Sequence, residues 1–258
     1  MIVTWSKGPA DECMPQDIIV GTLEKVRRHP WWKARAKLAL AVLGQRGITP
    51  PASIIDAGCG WGVNLESLER AGYRVTGMDI SRQILELIDK PGRQLIEADL
   101  NQAPAAQAQL HDGLLALDVI EHLDDDRGAV GRLGGLLRPG GLAVVSVPAL
   151  PELFSEFDRI QGHRRRYLPE TLRAAFEGSA FGNPEIFWWG AWMVRVLKGM
   201  RQSRQAGESS KTYADYLRLP PWPMPLLMAL AFAWEKSRAL KGRLRVGTSL
   251  FAVAVRGG

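Results

Sequence analysis

The chain has 258 residues, 46% hydrophobic and 23% charged, with a formal net charge of +6. That composition excludes a disordered chain, and the length admits one large α/β domain, with or without a sizeable insertion. Two cysteines, Cys13 and Cys59, are too few for a disulfide framework or a zinc site and point to a reducing, cytoplasmic setting.

Met1 to Pro15 carries charges and prolines and lacks the apolar core of a signal peptide. Residues 1–20 read as irregular and Gly21 to Gly44 as helical. A second helix start falls at His29-Pro30-Trp31-Trp32, where Pro30 suits a first turn. Strands are predicted at 53–57, 73–79, 94–98, 112–118 and 141–147. They alternate with helices at 62–71, 81–88 and 125–137 and a weaker helical piece near 101–109. Runs such as Gly113 to Leu117 and Leu142 to Val145 are continuously apolar, as in a sheet buried on both faces. The alternation implies a parallel sheet with right-handed crossovers. Arg138-Pro139-Gly140-Gly141 is a turn signal before the fifth strand.

Beyond Val147-Pro148 the pattern gives a polar loop, a helix at 169–180, a strand at 184–188 and a last strand at 247–255. Residues 190–246 differ in composition, with tryptophans, basic residues and a proline knot at Leu219 to Pro225. Within them Gln202 to Ser210 is polar and predicted to be mobile. The expected organisation is a helical cover (1–50), a core (51–189), a helical insertion or cap (190–246) and a closing strand (247–258). Arg195 to Arg245 holds eleven Lys/Arg against three acids, a net of +8, so the rest of the chain carries −2. This basic stretch is a solvated face or attracts an anionic partner. The longest apolar run, Leu226 to Trp234, is far short of the ~20 residues needed to cross a bilayer.

The chemistry concentrates at the strand ends. Asp56-Ala57-Gly58-Cys59-Gly60-Trp61-Gly62 closes the first strand and opens a helix. Glycines there let the backbone turn sharply and approach a ligand, and a helix start presents unpaired N–H groups. The spacing is G-x-G-x-G, not the G-x-G-x-x-G of a dinucleotide fold. Asp79, nineteen residues after Gly60, ends the second strand, where a carboxylate can accept both ribose hydroxyls. Asp99 closes the third strand, suited to an adenine amine, and Asp118 the fourth. Each Asp alone reads equally well as a turn or cap residue; the joint spacing singles them out.

These motifs resemble the class I S-adenosylmethionine-dependent methyltransferases. Asp56 to Gly62 looks like their first motif, Gly77-Met78-Asp79-Ile80-Ser81 the second-strand motif and Ala98-Asp99-Leu100 the third. Asp118-Val119-Ile120-Glu121-His122 is similar to the fourth-strand motif of the branch that includes ubiquinone-biosynthesis methyltransferases. Leu137-Arg138-Pro139-Gly140-Gly141 matches the turn before strand five. The resemblance implies a Rossmann-like α/β fold with a seven-stranded sheet of order 3-2-1-4-5-7-6, strand seven antiparallel. It implies S-adenosyl-L-methionine as cofactor, S-adenosyl-L-homocysteine as product and no metal. It assigns cofactor binding to Asp56, Gly58, Cys59, Gly60, Gly62, Asp79, Ile80, Asp99, Leu100, Asp118, Val119 and His122, with Arg35 able to meet the methionine carboxylate.

Two more segments resemble bacterial sugar and secondary-metabolite methyltransferases: His29 to Arg35, and Asp158 to Tyr167 with its Gly162-His163-Arg164-Arg165-Arg166-Tyr167. Trp31 and Trp32 wall the site or pack in the core. Arg166 holds an anion or pairs with an acid, and Tyr167 reaches the site or packs beneath the loop. His163 and Trp192 complete the candidate substrate residues. His122 and His163, both at the ligand edge, are the candidate bases. His111, at the opposite edge, is expected to have no role. The expected reaction is O-methylation of a small molecule, since two histidines are available and no Asn-Pro-Pro-Tyr tetrapeptide follows strand four. The rival acceptors are a lipid, quinone or lipid-linked saccharide at the inner face of a membrane, with 190–246 as a lid, a dimer contact or a peripheral membrane contact. An RNA substrate lacks a recognisable binding module, and a binding-only protein is the remaining alternative. A monomer and a homodimer both stay open.

Overall fold

A computed structural model describes residues 2–6, 16–102, 110–202, 217–219 and 221–258. The helical piece expected near 101–109 and the polar stretch Gln202–Ser210 therefore lie almost wholly outside the described residues, as does Cys13.

Eight strands form one sheet: β1 Ile2–Thr4, β2 Ser53–Ala57, β3 Arg74–Asp79, β4 Gln94–Glu97, β5 His111–Leu117, β6 Leu137–Pro148, β7 Glu185–Trp189 and β8 Ser249–Val255. Their order is β1-β4-β3-β2-β5-β6-β8-β7. Pairing is parallel from β1 through β6, and β8 runs antiparallel to both β6 and β7. Seven of these strands reproduce the expected order. The eighth, β1, corrects the reading of residues 1–20 as irregular. Ile2, Val3 and Thr4 pair with Leu95, Ile96 and Glu97, and the Thr4 hydroxyl donates to the Glu97 carboxylate at 2.8 Å. Three residues are too few to show a strand period, and only a partner edge makes them one.

Among the described residues the helices are α1 Gln16–Arg28, α2 Pro30–Gln45, α3 Val63–Arg70, α4 Arg82–Ile88, α5 Asp126–Gly134, α6 Glu156–Ile160, α7 Pro169–Phe176, α8 Ala191–Gln202 and α9 Met224–Leu240. The short α6 replaces part of the expected polar loop. Helix α5 stops at Gly134, three residues before its expected end, because β6 already begins at Leu137. The Arg138 to Gly141 turn is absorbed into the start of that strand, with Gly140 at φ 77 and its N–H on the Arg256 carbonyl.

Strand residues alternate between two apolar layers, as the pleat requires. Ile55, Ala57, Leu114, Ala116, Ala143 and Val145 pack with α5 and α7. Ile54, Leu115, Leu117, Leu142 and Val144 pack with α2 and α9. Leu38 and Leu43 of α2 are fully buried there, each contributing about 1.5–3 kcal/mol by leaving water. Helix α2 begins at Pro30, with the His29 ring Nδ1 accepting the Trp31 N–H at 3.2 Å. One of its turns buries Arg35, which reaches the end of β5.

Candidate active site

The carboxyl ends of β2, β3, β4 and β5 surround a cleft that opens to solvent. Open parallel sheets bind ligands at this edge. Gly58, Gly60, Asp79, Ile80, Asp99, Leu100, Asp118, Val119 and His122 line it, nine of the residues picked out from sequence.

The floor is the β2–α3 turn. The N–H groups of Gly58 and Cys59 both donate to the Met78 carbonyl, at 2.7 and 2.9 Å, strapping the turn to β3. Gly58 has φ 74, and a Cβ there would lie 2.5 Å from Val119 Cγ2. Only glycine lets β2 and β5 close to this distance. One Asp79 oxygen accepts the Gly60 N–H at 2.8 Å and the other the Ser81 N–H at 3.0 Å. Burial pushes the Asp79 carboxyl up, and these N–H groups oppose the shift. With the Ile80 N–H as a third donor, the carboxylate still has acceptor capacity left on the cleft that Asp79 lines. The start of α3, at Gly62, has no side-chain cap, so its first N–H groups have no capping partner. A bare helix start, a turn closed to a Cβ at Gly58 and a carboxylate on its rim fit the nucleoside cofactor expected from the sequence.

The other cofactor candidates lie behind this surface. Asp56 is fully buried, held by Asn64 Nδ2 at 3.2 Å, and burial pushes its carboxyl up to about 7. The Cys59 thiol packs among Leu65, Ile84, Leu85 and Ile88, and burial drives its pKa well up, so only its backbone serves the turn. Arg35 pairs with one oxygen of Asp118, while the Ser146 hydroxyl donates to the other at 2.9 Å. In this arrangement Arg35 neutralises Asp118, with its guanidinium over Trp31 at 4.8 Å.

Another wall is the 3-10 turn Ile120–His122 after β5. The His122 and His163 rings meet edge-to-face with centroids 4.8 Å apart. Burial lowers the His122 pKa to about 4, helped by the charges of His163 and Arg164, so its imidazole is neutral at pH 7 and able to accept a proton. His163 lies behind it and does not line the cleft. Its Nδ1 is 3.0 Å from Asp158 Oδ1 and its Nε2 3.9 Å from Glu121 Oε1.

The arginine triplet clamps two loops together. Arg164 donates to the His122 carbonyl at 2.7 Å and pairs with Asp124 at 2.5 Å. Arg165 donates to the carbonyls of Leu123 and Asp124, at 3.0 and 2.9 Å. Arg166 grips both oxygens of the fully buried Asp158, at 2.8 and 3.1 Å, which holds that carboxyl well below the usual carboxylate range. The Tyr167 hydroxyl donates to Asp126 at 2.8 Å, and its ring is buried. Arg166 and Tyr167, named above as substrate residues, are thus turned away from the cleft. Trp31 packs against Trp189, Trp32 against Trp61, and Trp192 against Phe232. None of the three lines the cleft; Trp61 does, backed by Trp32. His111 sits at the opposite sheet edge, its Nδ1 2.7 Å from the Ser53 hydroxyl.

Several wall residues escaped the sequence reading: Trp61, Met78, Ser81, Ile84, Leu123 and, behind His122, Glu121. Glu121 is fully buried, and neither oxygen has a hydrogen-bond partner among the described residues. Burial, with Asp118 nearby, raises its pKa well above the usual carboxylate range. The sequence predicts no metal ligand set; Glu121, His122 and His163 nonetheless bring donor atoms within 4.8 Å of one another. Trp61, Met78, Ser81 and Glu121 stood inside the quoted motifs, but Ile84 and Leu123 look like any core residue.

A family described as "Methyltransferase domain" matches residues 27–183, more than half of the chain. A ubiquinone biosynthesis O-methyltransferase from Methylocella silvestris is 38% identical over 34% of this chain and 37% of its own length. The chain thus spans well under two thirds of the length of that relative. A malonyl-[acyl-carrier protein] O-methyltransferase from Pseudescherichia vulneris is 28% identical over 84% of this chain and 85% of its own length. Among solved structures, the [4+2]-cyclase SpnF superposes over 99% of both chains with a TM-score of 0.59 at 16% identity, which establishes the fold alone. Over the matched residues the family and the glycine–Asp79 cradle agree: the chain belongs to the methyltransferase-domain family.

Proposed function

We propose that the chain methylates a hydroxyl oxygen of a small-molecule acceptor, with His122 taking the hydroxyl proton. The observation that carries this is the neutral, half-buried His122 ring on the cleft wall. Bound S-adenosylmethionine supplies the electrophilic methyl carbon. Asp79 then takes the ribose hydroxyls, Asp99 the adenine edge, and the backbone of Gly58 to Gly62 the amino-acid end. His163, held by Asp158, fixes the plane of the His122 ring. The apolar wall residues Met78, Ile84, Val119 and Leu123 keep water from the reacting oxygen. General-base assistance of this kind contributes about 10²–10⁴-fold.

A second reading follows from a relative that matches along most of both chains, a malonyl-[acyl-carrier protein] O-methyltransferase. If the acceptor oxygen is a carboxylate, no proton has to be removed. One experiment separates the two. Radiolabelled methyl transfer is measured on a panel of phenols, sugars and carboxylic acids, with wild type and His122→Gln. A hydroxyl acceptor whose kcat falls at least 100-fold in the variant, at unchanged cofactor affinity, supports His122 as base. Turnover that survives the substitution assigns a carboxylate acceptor and removes His122 from the chemistry.

A further inference from the structure

We propose that the outward face of α9 is a docking surface for an anionic phospholipid bilayer. This does not depend on the identity of the acceptor, and its failure would leave the methyl-transfer reading intact. At 100° per residue, Phe232, Glu235 and Ala239 mark the side of α9 turned to the protein, and all three are buried. Opposite them, Leu226, Leu227, Leu230, Trp234, Arg238 and Lys241 fall within an arc about 120° wide. Leu226, Leu227, Leu230 and Trp234 are 51%, 50%, 57% and 64% exposed, and Trp222, just ahead of the helix, is 82% exposed. A surface helix usually turns polar residues outward. Single exposed apolar side chains are ordinary, but a continuous row of them marks a contact surface.

Charge selects the partner. Residues 221–246 hold five basic side chains, Lys236, Arg238, Lys241, Arg243 and Arg245, and one acid, Glu235. Glu235 is buried and accepts the Ala191 N–H at 2.5 Å, so the exposed charge of this segment is wholly cationic. The Arg238 guanidinium lies over the Trp234 ring at 4.7 Å, which puts cation and apolar surface on the same face. A second copy of the chain would bring two cationic faces together with no acid to answer either. An apolar row with tryptophans and a cationic end instead matches the boundary between headgroups and acyl chains of an anionic leaflet. Among the described residues no helix is long and apolar enough to cross a membrane, so α9 would lie on the surface.

Flotation of the full chain with vesicles tests this. The protein should rise with phosphatidylglycerol-containing vesicles, stay behind with pure phosphatidylcholine, and be released by high salt as screening shortens. The triple variant Leu227→Gln, Leu230→Gln, Trp234→Gln should no longer float. Arg238→Gln with Lys241→Gln should weaken binding on the order of tenfold or more. Calorimetry with S-adenosylmethionine should give wild-type affinity for both variants, showing that they fold. The proposal is overturned if wild type stays with the unbound fraction beside anionic vesicles, or if the triple variant floats like wild type. It is equally overturned if ultracentrifugation shows a wild-type dimer that the triple variant converts to monomer, which would give the face to a second copy.

Discussion

At the scale of single residues, Asp79 joins the glycine turn to the cleft. Its oxygens hold the Gly60 and Ser81 N–H groups while facing the space above them. A charged acceptor for ribose hydroxyls is worth about 1.5–3 kcal/mol per bond. Asp79→Asn keeps an oxygen for Gly60 but loses the charge, so calorimetry should show S-adenosylmethionine binding about 10- to 100-fold weaker. Unchanged affinity would take Asp79 out of the cofactor site. Position was legible here because a strand end fixes where a side chain emerges. What the sequence left open was which acid faces the cleft and which is neutralised. Asp56, Asp79, Asp99 and Asp118 look alike in the chain, yet Asp56 lies buried beneath the turn and Asp118 is paired with Arg35 from α2, 83 residues away.

At the scale of elements, two devices shape the site: the turn after β2 and the clamp between the loops after β5 and β6. The turn was legible from its glycines, and its geometry gives a test. Gly58→Ala adds a left-handed backbone cost of about 1–2 kcal/mol and an overpacking cost of about 1–3 kcal/mol against Val119. Adding Val119→Ala should remove the second part and leave the first. Gly92→Ala, at φ 83 with nothing within 4 Å, should show the backbone cost alone. Urea denaturation of the three variants measures this; equal losses for Gly58→Ala with and without Val119→Ala would refute the contact. The clamp was not legible. Arg164 to Arg166 offer the same guanidinium groups to a substrate anion or to Asp124 and Asp158, and only the fold decides. Asp158 is fully buried with Arg166 across both oxygens, and removing one partner of such a pair costs about 3–5 kcal/mol. The Asp158 carboxyl is held down, so its stabilisation is complete above its unfolded pKa near 4 and is lost as pH falls below that.

At the scale of the whole molecule, periodicity and family resemblance together gave the seven-strand order before any coordinates. The extra edge strand and the apolar outer face of α9 came only from the three-dimensional arrangement, because pairing partner and exposure are not properties of a local window. The same burial that builds the two core layers makes stability depend on pH. Burial lowers His29, His111 and His122 to about 4 from the ordinary histidine value of 6.5. Between pH 4 and 6.5 the unfolded chain binds protons that these rings refuse when folded, so each makes stability rise with pH and be lost on acidification. Asp56 opposes them, since a carboxyl raised to about 7 loses stability as pH rises from 3.8. Net curvature therefore mixes signs, and a single-site difference isolates one. His111 is the clean choice, being far from the cleft, 1% exposed and hydrogen-bonded to Ser53. His111→Asn keeps a polar atom for the Ser53 hydroxyl but cannot titrate. Its penalty relative to wild type should shrink by about 2 kcal/mol between pH 7 and pH 4, within the limit of about 1.4 kcal/mol per pH unit. Urea unfolding at the two pH values gives the difference directly; a penalty that stays constant would mean that His111 is not held neutral in the folded protein.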